Sequence, residues 1–350
     1  MLAPVTQTTA TVAFPRGQRW WFWLPRQRSF QLTAATWLLL TLAVPLLAGS
    51  NLPFDRPSLE GQSVTLQLLN AESNLVLALL VIGLAIAVTR HRVVPDLAAR
   101  VPSRAIAVAE VSVLVGYGVL IQAVGVLVGR VIGTFPISAH MAGSIYAVRE
   151  PIAPAQALVW AAYNFVLYAV VPYLVFRARG YSNAALSLRS SDRANDALLI
   201  VVVLVFEGAV ELAFIGGGFF GLSTTQKLIG VPLSTVFNVF GTVLPVMIYL
   251  YAILLPRFLK LTGSIPATIV LGGLGYTAMH VFDAWMVYDG FSSGTLSAIF
   301  LLLQYFGPGM VKSVLTLRTG NAWVHALAYH AIAPHAYADA PNLVRIFGIR

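Results

Sequence analysis

The chain contains no cysteine, and this absence excludes two kinds of site at once. Neither a disulfide framework nor a thiolate metal centre can form, so histidine, aspartate and glutamate are left as the metal-binding side chains. The HExxH signature and the Walker A pattern are missing too. Zincins and nucleotide-driven pumps therefore lose support.

Charge is also scarce. Only 10% of the 350 residues are Asp, Glu, Lys or Arg, while 58% are hydrophobic. A soluble domain carries about 25% charged residues. A water-facing surface cannot be built from so few charges, so much of the surface must face lipid.

Long apolar runs take the place of charged surface. Stretches of roughly 17–25 residues that avoid charge predict membrane-spanning helices. Nine such runs occur, at 30–49, 73–89, 105–129, 155–176, 197–221, 232–256, 266–287, 293–311 and 319–336. The pattern predicts an all-α fold, a polytopic transmembrane helix bundle of about nine spans. Eight spans with a re-entrant last segment are the main alternative.

The placement of basic residues predicts the orientation. With the N-terminus in the cytoplasm, sixteen Lys and Arg residues fall on the cytoplasmic side and six on the other. Arg257 and Lys312 are counted in cytoplasmic connections. This bias follows the positive-inside rule and predicts an N-in chain. The net charge of +9 is thus interpreted as a topology signal with affinity for anionic lipid, and nucleic acid is not an expected partner.

The runs and connections divide the chain into four parts. Residues 1–29 form a cytoplasmic leader in which Arg is mixed with Trp, a composition typical of an anchor at headgroup level. The run after it is expected to be a retained signal anchor. Residues 30–179 make an N-terminal four-span region, 180–340 a five-span core, and 341–350 a C-terminal tail.

Ionisable residues inside the runs are candidates for function because a charge in hydrocarbon costs about 2.5–3.5 kcal/mol. Glu207 and Glu211 are four residues apart, so both lie on one helix face, where a carboxylate can serve as a general base. His280 and Asp283 share a face with Tyr276, and Asp283 can fix the tautomer of the imidazole. Asp283 at the outer interface, simply solvated, is the alternative.

The last run contains three histidines spaced by five residues. In an α-helix this spacing rotates each one by roughly 140° from the previous one. The sequence therefore predicts that His325, His330 and His335 do not face one point. His330 is the candidate, His325 is expected to pack, and His335 is expected near the outer surface.

The order of these features resembles the CPBP family of intramembrane proteases, which includes CAAX prenyl proteases and bacteriocin-processing enzymes. The matching segments are VELAFIGG at 210–217, YTAMH at 276–280 and TGNAWVHALAYHAIAPH at 319–335. By position, Glu211 matches the second glutamate of the first family motif, His280 and His330 match the motif histidines, and Tyr276 takes the aromatic place.

Three positions depart from the family pattern. Val210 stands where the family has its first glutamate, Ile215 replaces the arginine, and Pro334 replaces the asparagine. Glu207, one turn before Val210, is a possible substitute. These departures leave proteolytic competence open.

The resemblance implies an intramembrane endopeptidase. Glu211 and Glu207 would activate water, and His280 and His330 would polarise the scissile carbonyl, with Tyr276 and Asp283 in support. No cofactor is required, although a divalent metal at the Glu/His site is possible. The expected partners are membrane lipid and a membrane-associated peptide or protein, and the expected location is a bacterial plasma membrane. A catalytically inactive relative that binds a membrane partner or lipid is the alternative, and a proton-coupled transporter comes next.

Overall fold

The computed structural model describes residues 23–49, 51–54, 61–140, 152–214 and 217–350. Ile215 and most of the predicted leader lie outside these described residues. Within them the regular structure is helical and contains no strand. The prediction of an all-α bundle is confirmed for the part of the chain that the structure describes.

The main helices follow the apolar runs closely. They are α1 (Arg28–Ala48), α2 (Val64–Val88), α3 (Arg104–Val131), α4 (Pro154–Ala178), α5 (Arg193–Phe214), α6 (Thr224–Thr262), α7 (Ile265–Ala278), α8 (Phe291–Thr319) and α9 (Ala340–Ile346). Among the described residues, seven helices are long and apolar enough to cross a membrane, namely α1 to α6 and α8. The chain is therefore a multi-pass membrane protein.

Two predicted runs take a different form. The run at 266–287 becomes α7, which has 14 residues and is about 21 Å long, shorter than a hydrocarbon core of about 30 Å. The run at 319–336 becomes one α-helical turn followed by two π-helical stretches, Ala326–His330 and Ala333–Ala338. Residues 322–338 are called the π segment below. The total of nine spans and the N-in orientation remain predictions.

Burial separates inner helices from outer ones. The most apolar window of α6 is 83% buried and that of α8 is 67% buried, while that of α1 is 6% buried. The exposed side chains of the outer helices are largely Leu and Val. Apolar residues exposed over whole helices fit a lipid environment. Because α6 and α8 are the most buried of the long helices, they form the centre of the bundle.

One end of the bundle is joined by buried polar contacts. Arg92 pairs with Asp196 at 2.5 Å, and Asn321 donates to the same carboxylate at 2.9 Å. Arg100 donates to the carbonyl of Gly320, and Ala322 donates to that of Ser187. The TGNAW segment thus joins the connections after α2 and α4 at a single end, the end to which the charge pattern assigns the cytoplasm.

Glu110, a buried carboxylate near the start of α3, belongs to this end of the bundle. Its carboxylate pairs with Arg257 at 2.7 Å and Arg179 at 2.9 Å, and it accepts a hydrogen bond from Tyr181. Arg257 is buried within α6. This network satisfies a buried carboxylate and holds helices together.

The assignment of Lys312 to a cytoplasmic connection is wrong. Helix α8 continues to Thr319, because Lys312 and Arg318 do not interrupt its hydrogen bonding, and Gly320 ends it with a φ of +67°. The Lys312 side chain is only 2% exposed. Its amine is therefore inside the bundle, about two turns from the end of α8.

Candidate functional site

Helix α5 turns one face toward the π segment. Its buried residues Asp196, Leu199, Val203 and Glu207 recur every three or four positions, which is the spacing of one helix face. The position of a Cβ on Gly208 would be 3.8 Å from the Tyr337 ring. The two predicted glutamates therefore lie beside residues 326–338.

The carboxylates of these glutamates are surrounded by other charged groups. Glu207 is 8% exposed and interacts electrostatically with Lys312, while Glu211 interacts with Asp339. One oxygen of each, Oε2, is buried without a hydrogen-bond partner among the described residues. Such oxygens can accept a proton from water or substrate.

His280 is held by an aspartate, as the spacing predicts. Its Nδ1 lies 2.8 Å from Oδ2 of Asp283, the geometry of an N–H donating to a carboxylate. Tyr305 stacks on the imidazole at 3.5 Å between ring centroids and donates its hydroxyl to the same oxygen. Asp283 is 2% exposed, so the alternative of a solvated aspartate at the interface is wrong.

His140 is a site residue that the sequence prediction missed. Its Nε2 lies 3.1 Å from Nε2 of His330 and 3.1 Å from the Tyr276 hydroxyl, and its ring is 4.1 Å from that of His280. It belongs to the connection after α3, outside every predicted span. The available signal is a histidine in a connection, FPISAHM, that has almost no polar residue.

Small residues on α3 seat this connection. A Cβ at Gly125 would lie 2.6 Å from the Ile137 carbonyl oxygen, and one at Gly129 would overlap that of Phe135. The glycines thus let the chain fold back against α3. Ser138 secures the turn, since its carbonyl accepts from Trp160 and its hydroxyl donates to Asp283 at 2.9 Å.

The π segment brings its histidines together, contrary to the helical-wheel prediction. The rings of His330 and His335 are 5.2 Å apart, and His335 is 2% exposed. The expectations that they face apart and that His335 lies near the surface are wrong. One π-helical stretch ends at His330 and another begins at Ala333. The chain between the two histidines is therefore not an α-helix, and the α-helical rotation per residue does not apply to them.

His325 stands further from this cluster. Its ring centroid is 6.4 Å from that of His330, and it packs on the Tyr251 ring at 4.4 Å. Its Nδ1 faces the Thr316 hydroxyl at 3.3 Å. These contacts agree with the expectation of a packing histidine.

Lys312 adds a buried positive charge to the centre. Its ammonium lies 3.7 Å from the centroid of the Tyr276 ring and 5.1 Å from that of Tyr329. Aromatic faces attract cations in this geometry. Charge prediction placed this residue outside the membrane, so sequence reasoning missed its place in the site.

Three of the histidines could hold a metal ion. One ring nitrogen from each of His140, His330 and His335 lies within 4.8 Å of those of the other two. Nδ1 of His335 is 2.5 Å from Oδ2 of Asp339, which is itself buried. The arrangement differs from the predicted set, since it includes His140 and His335 and leaves out His280.

The structure therefore brings together the residues that the sequence singled out. Tyr276, His280 and His330 meet around His140, while Glu207 and Glu211 on α5 lie beside the π segment that carries His330. Compared with known proteins, the chain matches no protein-family model, no curated protein and no solved structure.

Proposed function

We propose that this chain is an intramembrane endopeptidase of the CPBP type, which hydrolyses a membrane-associated peptide or protein in a bacterial plasma membrane. The observation that carries the proposal is the buried cluster of His140, His280 and His330, to which Glu207 is linked through its electrostatic interaction with Lys312. Ionisable groups within a membrane protein are costly and concentrate where chemistry is done. Here imidazoles from three separate chain segments share one centre.

The glutamates supply a general base. Glu211 takes a proton from water while the water oxygen attacks the scissile carbonyl carbon, and Glu207, one turn earlier, is the second carboxylate in reach. The tetrahedral intermediate then expels the amine, which receives the proton. Each glutamate has a buried oxygen without a hydrogen-bond partner among the described residues, which suits an acceptor awaiting water.

The histidines stabilise the negative charge that develops on the carbonyl oxygen. Asp283 accepts from Nδ1 of His280 and thereby favours the imidazolium form, which can donate from Nε2. His330 also contacts His140, with 3.1 Å between the two Nε2 atoms. The Lys312 ammonium adds positive charge close to Tyr276, and such fixed charges act strongly in a dry site.

A non-catalytic relative that binds a membrane partner is the second candidate. The observation that favours it is Val210, which stands on α5 where the family has its first glutamate. Such a protein would retain the buried centre for binding. A partner that copurifies in stable stoichiometry, with no cleavage, would support this function.

The test compares the wild type with Glu211→Gln and His280→Ala. Each variant is expressed in the same bacterial host, and new N-termini in membrane proteins are identified by chemical labelling and mass spectrometry. Cleavage of an identified substrate is then measured in liposomes, where loss of the base is expected to lower the rate by about 10²–10⁴-fold.

Glu72→Gln is the matched control. Glu72 is also a carboxylate within a membrane helix, but it accepts hydrogen bonds from Trp37 and Thr41, away from the site. Its variant should cleave at the wild-type rate. Undiminished cleavage by both site variants would remove the catalytic assignment.

A further inference from the structure

We infer that His140, His330 and His335 bind one divalent transition-metal ion of the zinc class. The three residues come from the connection after α3 and from two π-helical stretches, and all are at most 5% exposed. Their convergence is produced by the fold, because the connection that carries His140 is seated on α3 far from the π segment in sequence.

The spacing of the nitrogens suits such an ion. Zinc binds imidazole nitrogen at about 2.0–2.1 Å with tetrahedral geometry, which places two ligand nitrogens about 3.3 Å apart. Nε2 of His140 and Nε2 of His330 are 3.1 Å apart. The largest separation within the triad is 4.8 Å or less, so a ring rotation that moves the third nitrogen by on the order of 1 Å completes three ligands.

Asp339 prepares His335 to act as a ligand. A metal-binding histidine commonly donates its other ring N–H to a carboxylate, which orients the ring and raises its basicity. The 2.5 Å contact between Nδ1 of His335 and Asp339 has this form. Nε2 of His335 is then left with its lone pair, and it is buried without a partner among the described residues. A buried polar atom in this state is costly unless a ligand satisfies it.

The ligand set selects the class of ion. Imidazole suits zinc, copper, iron and nickel rather than magnesium or calcium, and the chain has no thiolate to offer. Three protein nitrogens with a fourth position open to water are typical of catalytic rather than structural zinc sites. Lys312 opposes a cation, but the carboxylate of Glu207 interacts with Lys312 and that of Asp339 is bonded to His335, so both offset its charge.

This site shares only His330 with the set carried over from the family resemblance. That set includes His280, whose Nδ1 is bonded to Asp283, and leaves out His140 and His335. Metal binding can be measured without any substrate. The metal site can therefore be disproved while the proposed peptidase activity stands, and the peptidase activity can be disproved while the metal site stands.

The experiment measures bound metal on the full chain. Wild type and His140→Gln, His330→Gln, His335→Gln, His280→Gln and His325→Gln variants are purified in detergent, loaded with ZnCl₂, desalted and analysed by inductively coupled plasma mass spectrometry. We expect about one zinc ion per wild-type chain and a loss of at least tenfold in each triad variant. The His280 and His325 variants should retain the ion, and Asp339→Asn should bind it about 10–100-fold more weakly.

Three results would overturn the inference. These are a wild type that retains neither Zn²⁺ nor Co²⁺ after loading, triad variants that keep stoichiometric zinc, and a loss confined to His280→Gln. The last result would place the ion on other ligands.

Two readouts on the wild type decide the matter if a triad variant does not fold. Loaded Co²⁺ should give the intense visible bands of a tetrahedral site, and weak octahedral bands would contradict the proposal. Added Zn²⁺ should also raise the unfolding temperature of the wild type, since a ligand stabilises the state that binds it. An unchanged unfolding temperature, with no tetrahedral bands, would count against the site.

Discussion

At the scale of single residues, the buried histidines differ in which ring nitrogen has a hydrogen-bond partner. His280 and His335 share one arrangement: Nδ1 is bonded to an aspartate three or four residues later, Asp283 or Asp339. The partner is close in sequence, so the pairing is local and was readable for His280. The same aspartate–histidine pair therefore occurs twice around His140. His280 with Asp283 is proposed to act in catalysis, and His335 with Asp339 is proposed to bind the metal ion.

Replacing Asp283 by Asn should affect catalysis and leave metal binding intact. The amide cannot stabilise the imidazolium of His280, so we expect cleavage of the identified substrate to fall by about 10–100-fold. Bound zinc should stay at the wild-type level, because His280 is not a ligand in the proposed site. Both quantities are measured on the same purified sample.

Asp289→Asn is the control for this prediction, because Asp289 is exposed and bonds to Ser293. It should change neither cleavage nor zinc content. If Asp283→Asn lost zinc as well as cleavage activity, Asp283 would be needed for both functions, and the prediction that it acts only in catalysis would be wrong.

At the scale of elements, two irregular pieces of chain build the site. One is the connection after α3, seated on Gly125 and Gly129, which carries His140 into the bundle. The other is the π segment, in which two π-helical stretches bring His330 and His335 close together. Regular helices supply the glutamates and the frame, while these irregular pieces supply His140, His330 and His335. π-helical turns are frequent at functional sites.

Gly125→Val should displace His140 while α3 remains helical. The Cβ would lie 2.6 Å from the carbonyl oxygen of Ile137, so the connection must move away from α3. We expect at least a tenfold loss of bound zinc and a fall in stability of about 1–3 kcal/mol, as for other overpacked sites. Metal analysis and thermal unfolding in detergent measure the two effects.

Gly116→Val is the matched substitution on the same helix. A Cβ at Gly116 meets no atom within 4 Å, so the variant should bind zinc like the wild type. Equal zinc content in the Gly125 and Gly116 variants would show that zinc binding does not require the packing of the connection against Gly125.

At the scale of the whole molecule, the two ends of the bundle have different roles. One end joins the connections after α2, α4 and α8 through Arg92, Arg100 and their partners. The connection that carries His140 follows α3, so it starts from the opposite end. The charge pattern predicts that the first end is cytoplasmic, and the His140 connection would then enter from outside.

The absence of native cysteine makes this orientation directly testable. Ala184→Cys and Ser292→Cys place single thiols at exposed positions of the two ends. A membrane-impermeant maleimide should label the Ser292 variant in intact cells and the Ala184 variant only after the membrane is opened. The reverse pattern would show an N-out chain, and labelling of both in intact cells would contradict opposite ends.

The sequence by itself determined the class of protein and part of the site. Apolar runs free of charge can only be stable in lipid as helices, since every backbone group must be satisfied within the segment. Residues that share a helix face at three- or four-residue spacing were also readable, which is why Glu207 was paired with Glu211 and His280 with Asp283. Local periodicity carries that information without knowledge of neighbours.

The tertiary structure alone decided how the imidazoles meet. His140 is 190 residues from His330, and no local rule relates a connection after α3 to the last apolar run. An α-helical turn of about 3.6 residues predicts the wrong direction for the His335 side chain, because the chain forms π turns in this segment. Lys312 was likewise placed outside because a lysine is normally expelled from hydrocarbon. Packing against α7 and the π segment holds it inside the bundle, where aromatic rings and Glu207 replace the water it would otherwise need.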